Sequence, residues 1–292
     1  MISQRDIAKL SNRLYQEAIA AVGKKDARRV PDAVIERDYV LAWFLTELAA
    51  HPRLSTALAF KGGTALRRIH FGEYRFSEDL DFSLTRPVSL AELFADLRAI
   101  FDSLYARSGV QFKLDEATLS VHTHTDTFFL TYKGPLPKES SVKVDVSRDE
   151  TIVFPLEMKP VLQTYPEYSD LPLDAPPLLV YAFHEIVVEK TLAITDGARR
   201  EPRDLYDLWF IMKEQHVQHP EEVVEGLNRK LASRPGRAND VLAPRLERAL
   251  PTLKKAWEQR LGAQVALLPG FDECFRDIRK LMNDFDKLRG KK

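Results

Sequence analysis

The chain has 292 residues, 45% of them hydrophobic, and its 43 basic and 43 acidic side chains cancel at neutral pH. That length carries two domains with real cores and excludes a disordered chain, and the balanced charge restricts any nucleic-acid surface to a local patch. One cysteine, Cys274, excludes an internal disulfide and a thiolate zinc site. No apolar run approaches the ~20 residues of a membrane helix, and the start MISQRDIAKL has no apolar signal core, so a soluble cytoplasmic protein without membrane contact is expected.

Residues 2–22 place Ile7, Leu10, Leu14, Ala18 and Ala21 on one stripe, which predicts an amphipathic helix ended by Gly23-Lys24-Lys25-Asp26. Residues 33–50 predict a second helix, apolar enough to be buried. Ala57 to Phe60 reads as a short buried strand. Lys61-Gly62-Gly63-Thr64 then turns the chain into a helix that begins at Thr64. Glycines without side chains let the backbone approach a ligand, and the N–H groups of the following helix point at it, which is how a phosphate is cradled. The string is neither a P-loop, GxxxxGK(S/T), nor a GxGxxG dinucleotide turn.

Residues 77–84, SEDLDFSL, read as the next strand. Alternation puts Asp79 and Asp81 on one face and Leu80, Phe82 and Leu84 on the other. Two like charges at that spacing repel, and a hard divalent cation between them is a reason to place them there. A lone Gly-Gly is most often only a turn, and a lone Asp-x-Asp a solvated strand face. The two so close, each at the end of a strand, point to a site.

Residues 87–107 predict a helix started by Ser89, with Glu92 at capping-box spacing. Period-two strands follow over residues 110–114, 125–132 and 141–147. In the last, Val142, Val144 and Val146 face one way and Lys143 and Asp145 the other, so Asp145 either joins Asp79 and Asp81 from a neighbouring strand or is an exposed strand aspartate. His122 and His124 have no third ligand near them and read as a surface strand rather than a metal pair. Residues 165–177 carry four prolines and read as a linker. Helices are expected over residues 178–198, 204–216, 220–232, 240–262 and 271–289. The organisation is α/β first and helices second, with domains at 1–164 and 165–292.

In the second half, Glu185 and Glu189 share one helix face with Lys190 beside them. Pro202 can open the next helix, with Asp204 in its first turn, where a carboxylate suits the dipole, and Asp207 one turn on. Taken singly, Asp204 is an N-terminal cap and Lys190 a solvated helix residue.

The Gly-Gly turn followed by an Asp-x-Asp strand resembles nucleotidyltransferases of the DNA polymerase β-like fold. The fuller string GGTALRRIHFGEYRFSEDLDF is similar to the AbiEii/AbiGii toxins, the nucleotidyltransferases of bacterial type IV toxin–antitoxin and abortive-infection systems. The likeness runs in blocks from about residue 33 to residue 215. It includes a helix with Glu-Lys-(Leu/Thr) and then Arg-Asp-x-x-Asp, here Glu189-Lys190-Thr191 and Arg203-Asp204-Leu-Tyr-Asp207. Thr191 stands where leucine is usual.

This resemblance implies an α/β (α+β) fold, a polymerase β-like core with a mixed sheet and a helical C-terminal domain. It implies Mg²⁺ (or Mn²⁺) held by Asp79, Asp81 and Asp145, an NTP as substrate, and a cognate antitoxin. Lys61, Gly62, Gly63, Thr64 and Ser77 would line the nucleotide. Lys190 would contact its phosphates, with Asp204 organising the site and Asp207 either binding the nucleotide as well or serving the structure. The resemblance also implies transfer of NMP to the 3′ end of tRNA, which blocks translation and growth. Arg67-Arg68, Arg199-Arg200-Arg203, Lys254-Lys255 with Arg260, and Arg276, Arg279, Lys280, Lys287 and Arg289 of the tail are candidate acceptor contacts. A protein acceptor is the alternative enzyme. A catalytically silent nucleotide-binding module is the alternative class, and intact Asp79, Asp81 and Lys190 argue against it. Lys190→Ala is expected to weaken nucleotide use with its helix intact. Ser77 would sit beside metal and triphosphate, so its phosphorylation would add negative charge there; the plainer reading is a serine that buttresses the turn.

Overall fold

The computed structural model describes residues 1–197, 199–214, 219–234 and 236–290. The chain forms two compact units. The sheet unit takes Met1–Glu150, Leu156–Tyr181 and Ala263–Leu267. The helical unit takes Thr151–Pro155, Ala182–Gly262 and Leu268–Lys292. The chain passes from the sheet unit into the long helical stretch at Tyr181/Ala182, later than the boundary expected at 164/165.

The sheet unit holds a seven-stranded mixed sheet in the order β3-β4-β5-β2-β1-β7-β6. Its strands are β1 (Leu58–Lys61), β2 (Leu80–Leu84), β3 (Gln111–Val121), β4 (Thr125–Lys133), β5 (Ser140–Ser147), β6 (Glu157–Lys159) and β7 (Leu178–Val180). β1 runs antiparallel to β2, and β2 runs parallel to β5. α1 (Gln4–Val22), α2 (Asp32–Ala50) and α5 (Leu90–Ser108) are its long helices. α3 (Leu54–Ala57) and α4 (Gly62–Ala65) are single turns on either side of β1, and α4 runs into a π-helical turn, Leu66–Phe71. α5 starts with the expected capping box: the Ser89 hydroxyl accepts from the Glu92 N–H, and the Glu92 carboxylate accepts from the Ser89 N–H at 3.0 Å.

One face of the sheet is apolar because of alternation. Phe60, Phe82, Val142, Val144, Val146, Phe128 and Leu130 are buried. Aromatic rings lock helix to strand, with Phe44 against Phe112, Phe101 against Phe112, and Phe94 against Phe128, at 5.2–5.6 Å between centroids. α2 is buried along almost its whole length, as its composition predicted.

Three expectations are corrected. Residues 165–177 are no free linker: Tyr165 and Tyr168 are buried in the sheet unit, and the Tyr168 hydroxyl lies 3.0 Å from a carboxylate oxygen of Asp38. Aromatic side chains seeking a core outweigh the prolines. The helix expected over residues 178–198 is β7 followed by α6 (Phe183–Ile194). A short apolar run fits strand or helix equally, and the parallel pairing of Val180 with Phe60 decides it. His122 and His124 lie not in a strand but in the exposed turn between β3 and β4.

The helical unit holds α6, α7 (Pro202–Lys213), α8 (Pro220–Ala232), α9 (Leu242–Leu261) and α10 (Phe271–Leu288). The expected helix ends at residues 198 and 216 lie outside the described residues. Among the described residues no helix is long and apolar enough to cross a membrane.

Candidate active site

The register of the sheet builds the site. Lys61 on β1 is the partner of Asp81 on β2, Asp81 of Asp145 on β5, and Asp145 of Thr127 on β4. Side chains of paired residues share a face, so a lysine, two aspartates and a threonine form one row across four strands, opposite the apolar face. Asp145 is thus brought beside Asp81. Its two oxygens are held separately, by the Thr127 hydroxyl at 2.6 Å and by the Lys143 ammonium at 2.7 Å. Lys61 is anchored at the other end. Its ammonium lies 3.0 Å from the Ser147 hydroxyl, 3.3 Å from a Glu150 oxygen and 5.4 Å from the centre of the Tyr181 ring. The Tyr181 and Ser83 hydroxyls are bonded at 2.7 Å.

Asp79 does not share the strand with Asp81 as expected. β2 begins at Leu80, and Asp79 ends the approach to it. Its carbonyl accepts from the Thr64 hydroxyl at 2.5 Å, so Thr64, buried, holds the backbone of Asp79 rather than pointing into a cradle.

The glycine turn presses on the same carboxylates. Gly62 has φ +80°, and a Cβ there would overlap the Asp81 carboxylate. A Cβ on Gly63 would meet the Arg75 guanidinium at 2.6 Å and the Ser77 hydroxyl at 3.1 Å. Arg75 is itself tied to the far end of the sheet unit, donating to the Gln264 side chain at 3.1 Å while the Phe76 N–H donates to the Gln264 carbonyl at 2.9 Å. Ser77 is buried behind Gly63. That position, packed against the glycine turn, is what a buttressing serine requires. Gly62→Ala is expected to fail twice: the positive φ costs about 1 kcal/mol, and the methyl must displace Asp81. Activity should fall at least about tenfold with a smaller loss in thermal stability. Wild-type turnover in this variant would show that the turn is mere punctuation.

In the helical unit, Lys190 on α6 is clamped between two aspartates of α7. Its ammonium lies 2.7 Å from Asp204 and 2.7 Å from Asp207, and Asp204 also receives the Arg199 side chain at 3.1 Å. Lys190 is 7% exposed and both aspartates are buried. On another side of α6, Lys230 from α8 sits between Glu185 and Glu189. Burial depresses the Lys230 ammonium, but the charges of Glu189 and Glu185 outweigh it and hold its pKa above the ordinary lysine range. Glu185 also accepts from the N–H groups of Val153 and Phe154 at 2.9 and 2.8 Å. The expectation that Lys190 can be removed with its helix intact is therefore revised. Lys190→Met should remove the shared counter-ion of two buried carboxylates and cost about 3 kcal/mol, measured by urea unfolding. A loss below about 1 kcal/mol would mean a solvated pair.

The residues singled out from sequence fall into two sets: Lys61, Gly62, Gly63, Thr64, Ser77, Asp79, Asp81 and Asp145 in the sheet unit, and Lys190, Asp204 and Asp207 in the helical unit. The family described as nucleotidyl transferase AbiEii toxin, type IV toxin–antitoxin system, matches residues 43–277. The chain belongs to the AbiEii nucleotidyltransferase toxin family. It is an α/β nucleotidyltransferase, and membership implies an NTP substrate and a cognate antitoxin. In fold it is similar to MenT4, a nucleotidyltransferase toxin from Mycobacterium tuberculosis, with TM-score 0.55 and 21% identity over 94% of this chain and 97% of that one. No curated protein matches the sequence.

For an AbiEii chain the metal question turns on the donor set. Among the described residues, no group of three or more His, Cys, Asp or Glu side chains lies in a metal-binding arrangement. The donors nevertheless have the right chemistry, hard carboxylate oxygens on adjacent strands. Asp145 fits as a donor, with the charge of Lys143 competing for one of its oxygens.

One basic cluster and one residue of another are not acceptor contacts. Arg67 and Arg68 are fully buried and paired with Asp38, and the Arg289 side chain of the tail is buried against Asp286. Arg199, Arg260 and Arg276 stay exposed. Thr127, Lys143, Arg75 and Gln264 escaped the sequence reading. Lys143 had a signal, since it lies two residues from Asp145 on one strand face; Gln264 had none.

Proposed function

We propose that this AbiEii protein transfers a nucleoside monophosphate from an NTP to the 3′ end of a tRNA, with Mg²⁺ or Mn²⁺ as cofactor, and so blocks translation and growth. The observation that carries the reading is the row Lys61–Asp81–Asp145, with Gly62 packed against Asp81. Asp79, Asp81 and Asp145 would hold the metal, which when bound supplies Lewis acidity at the phosphate and neutralises the triphosphate. Asp145 orients the acceptor hydroxyl and takes its proton. The acceptor oxygen then attacks the α-phosphorus in line as the bond to pyrophosphate breaks. Lys61, fixed by Ser147 and Glu150, balances charge developing on the leaving group. The resemblance assigns Lys190 and Asp204 to the same chemistry, and with Asp207 they form one charged unit, since the three side chains are bound to one another.

Support for a tRNA acceptor is the resemblance in motif together with exposed cations of the helical unit. Several of those cations already face acids, as Lys254 faces Asp272 at 2.7 Å and Arg279 faces Glu247 at 3.2 Å. The test incubates the protein with each labelled NTP, Mg²⁺ and total cellular extract, then separates RNA from protein. Label in tRNA-sized RNA, lost when the 3′ terminus is oxidised with periodate, is the expected result. Label in protein would replace tRNA with a protein acceptor, and no label with any NTP would sink the assignment.

A further inference from the structure

We propose that Lys143 is an exchangeable counter-ion, which occupies Asp145 in the empty enzyme and moves to the triphosphate when nucleotide and metal enter. The inference rests on the proposed function above and adds to it a residue that the family motifs leave without a role.

The two oxygens of Asp145 are held differently. The Thr127 hydroxyl donates to one at 2.6 Å, and the Lys143 ammonium sits on the other at 2.7 Å. A hydroxyl can rotate its proton and stay beside a metal-bound carboxylate. An ammonium carries a full positive charge, so a divalent cation on the same carboxylate repels it. Loading the site therefore weakens the hold of Asp145 on Lys143.

The structure gives it the means. The Lys143 side chain is 40% exposed, on a flexible four-carbon stem, and Asp145 is the partner it is given. Its displacement breaks no buried bond, unlike displacement of Lys190 or Lys230. The register places it near the carboxylates. Val144, next to Lys143, pairs with Leu80, the first residue of β2, and Asp145 pairs with Asp81. Without ligand, Lys61 and Lys143 offset the like charges of Asp81 and Asp145 on neighbouring strands. When triphosphate and metal arrive, the metal takes over at the carboxylates and the phosphates present new negative charge to the freed ammonium.

The test is binding, measured without transfer. Mn²⁺ is titrated alone into the full-length protein and followed by the loss of its free EPR signal. Each of the four common NTPs is then titrated with Mg²⁺ and no RNA. Lys143→Met should bind Mn²⁺ about three- to tenfold more tightly, as removal of one nearby, partly screened positive charge implies. It should bind the preferred NTP more weakly by a similar factor. Lys143→Arg should lie near wild type in both. Unchanged or weaker Mn²⁺ binding in Lys143→Met overturns the proposal, because the lysine would then be a spectator or a support for Asp145. Tighter Mn²⁺ with unchanged nucleotide affinity also overturns the exchange and leaves a resident counter-ion. Asp145→Asn separates this from the underlying reading: if Mn²⁺ affinity is indifferent to Asp145, the carboxylate assignment falls and Lys143 falls with it. Circular dichroism melts confirm that each variant is folded.

Discussion

Alanine at Asp81 is expected to reduce nucleotide transfer by at least about a thousandfold while the protein stays folded. Asp81 is the centre of the row, with Lys61 its partner on one side and Asp145 on the other, and Gly62 packed on its carboxylate. Its Cβ faces away from the apolar side, so truncation removes no core contact. It also takes away one of two neighbouring like charges, and the apo melting temperature should hold or rise slightly. Turnover is read with labelled NTP and RNA, stability by thermal melting. Transfer at the wild-type rate with added Mg²⁺ would remove Asp81 from the site. A dead variant that is also unfolded would show that the carboxylate is structural.

Asp38→Ala is expected to have the largest effect on stability, a loss of about 3–5 kcal/mol. Asp38 on α2 is buried between two fully buried arginines. Arg67 Nε donates to it at 2.6 Å, Arg68 pairs with it, and the Tyr168 hydroxyl bonds it at 3.0 Å. The Arg67 guanidinium also lies 3.8 Å from the centre of the Phe76 ring. Alanine leaves two buried cations facing each other. Burial alone would raise the Asp38 carboxyl, but the charges of Arg67 and Arg68 and the hydrogen bonds of Arg67 and Tyr168 outweigh it and hold its pKa below the ordinary 3.8. The linkage therefore has a definite sign. The cluster's contribution is complete above the ordinary carboxylate range and is lost as pH falls through the lower folded pKa. Urea midpoints from pH 7 down to pH 3 should fall more steeply in wild type than in Asp38→Ala. Parallel curves would mean that Asp38 is not ionised by this pairing.

Much of the site was legible in the sequence because it obeys short periodicities. Alternation in residues 141–147 put Asp145 on the polar side, and the register then set it beside Asp81. The Gly-Gly turn was readable as a close approach, although what approaches is the protein's own Asp81. Charge was the poorest guide. Arg67 and Arg68 read either as a nucleic-acid patch or as a solvated helix face balanced by nearby acids, and neither holds; their carboxylate lies on α2, 29 residues before Arg67. Lys190 was placed with Glu185 and Glu189 by neighbourhood, while its partners are on the next helix and theirs is Lys230. Pairings across elements are fixed by packing, and no local pattern encodes them. The strand at residues 178–180 was lost for a related reason. Three apolar residues have no period, and only the neighbouring β1 makes them a strand.

The interleaving of the two units bears on the order in which a nascent chain can mature. β1, which carries Lys61, is flanked by β2 and by β7, and β7 is not synthesised until residues 178–180. Until then β1 is an unprotected edge, open to pairing with the wrong strand. Gln264 reaches Arg75, behind the glycine turn, later still, after α9 has been made. The turn is therefore among the last parts of the sheet unit to gain its supports. A ribosome-bound fragment ending at residue 164 or at residue 177 lacks both, so each should be more sensitive to protease at residues 61–79 than the finished chain. This order of assembly delays full support of the glycine turn until residue 264 has been made.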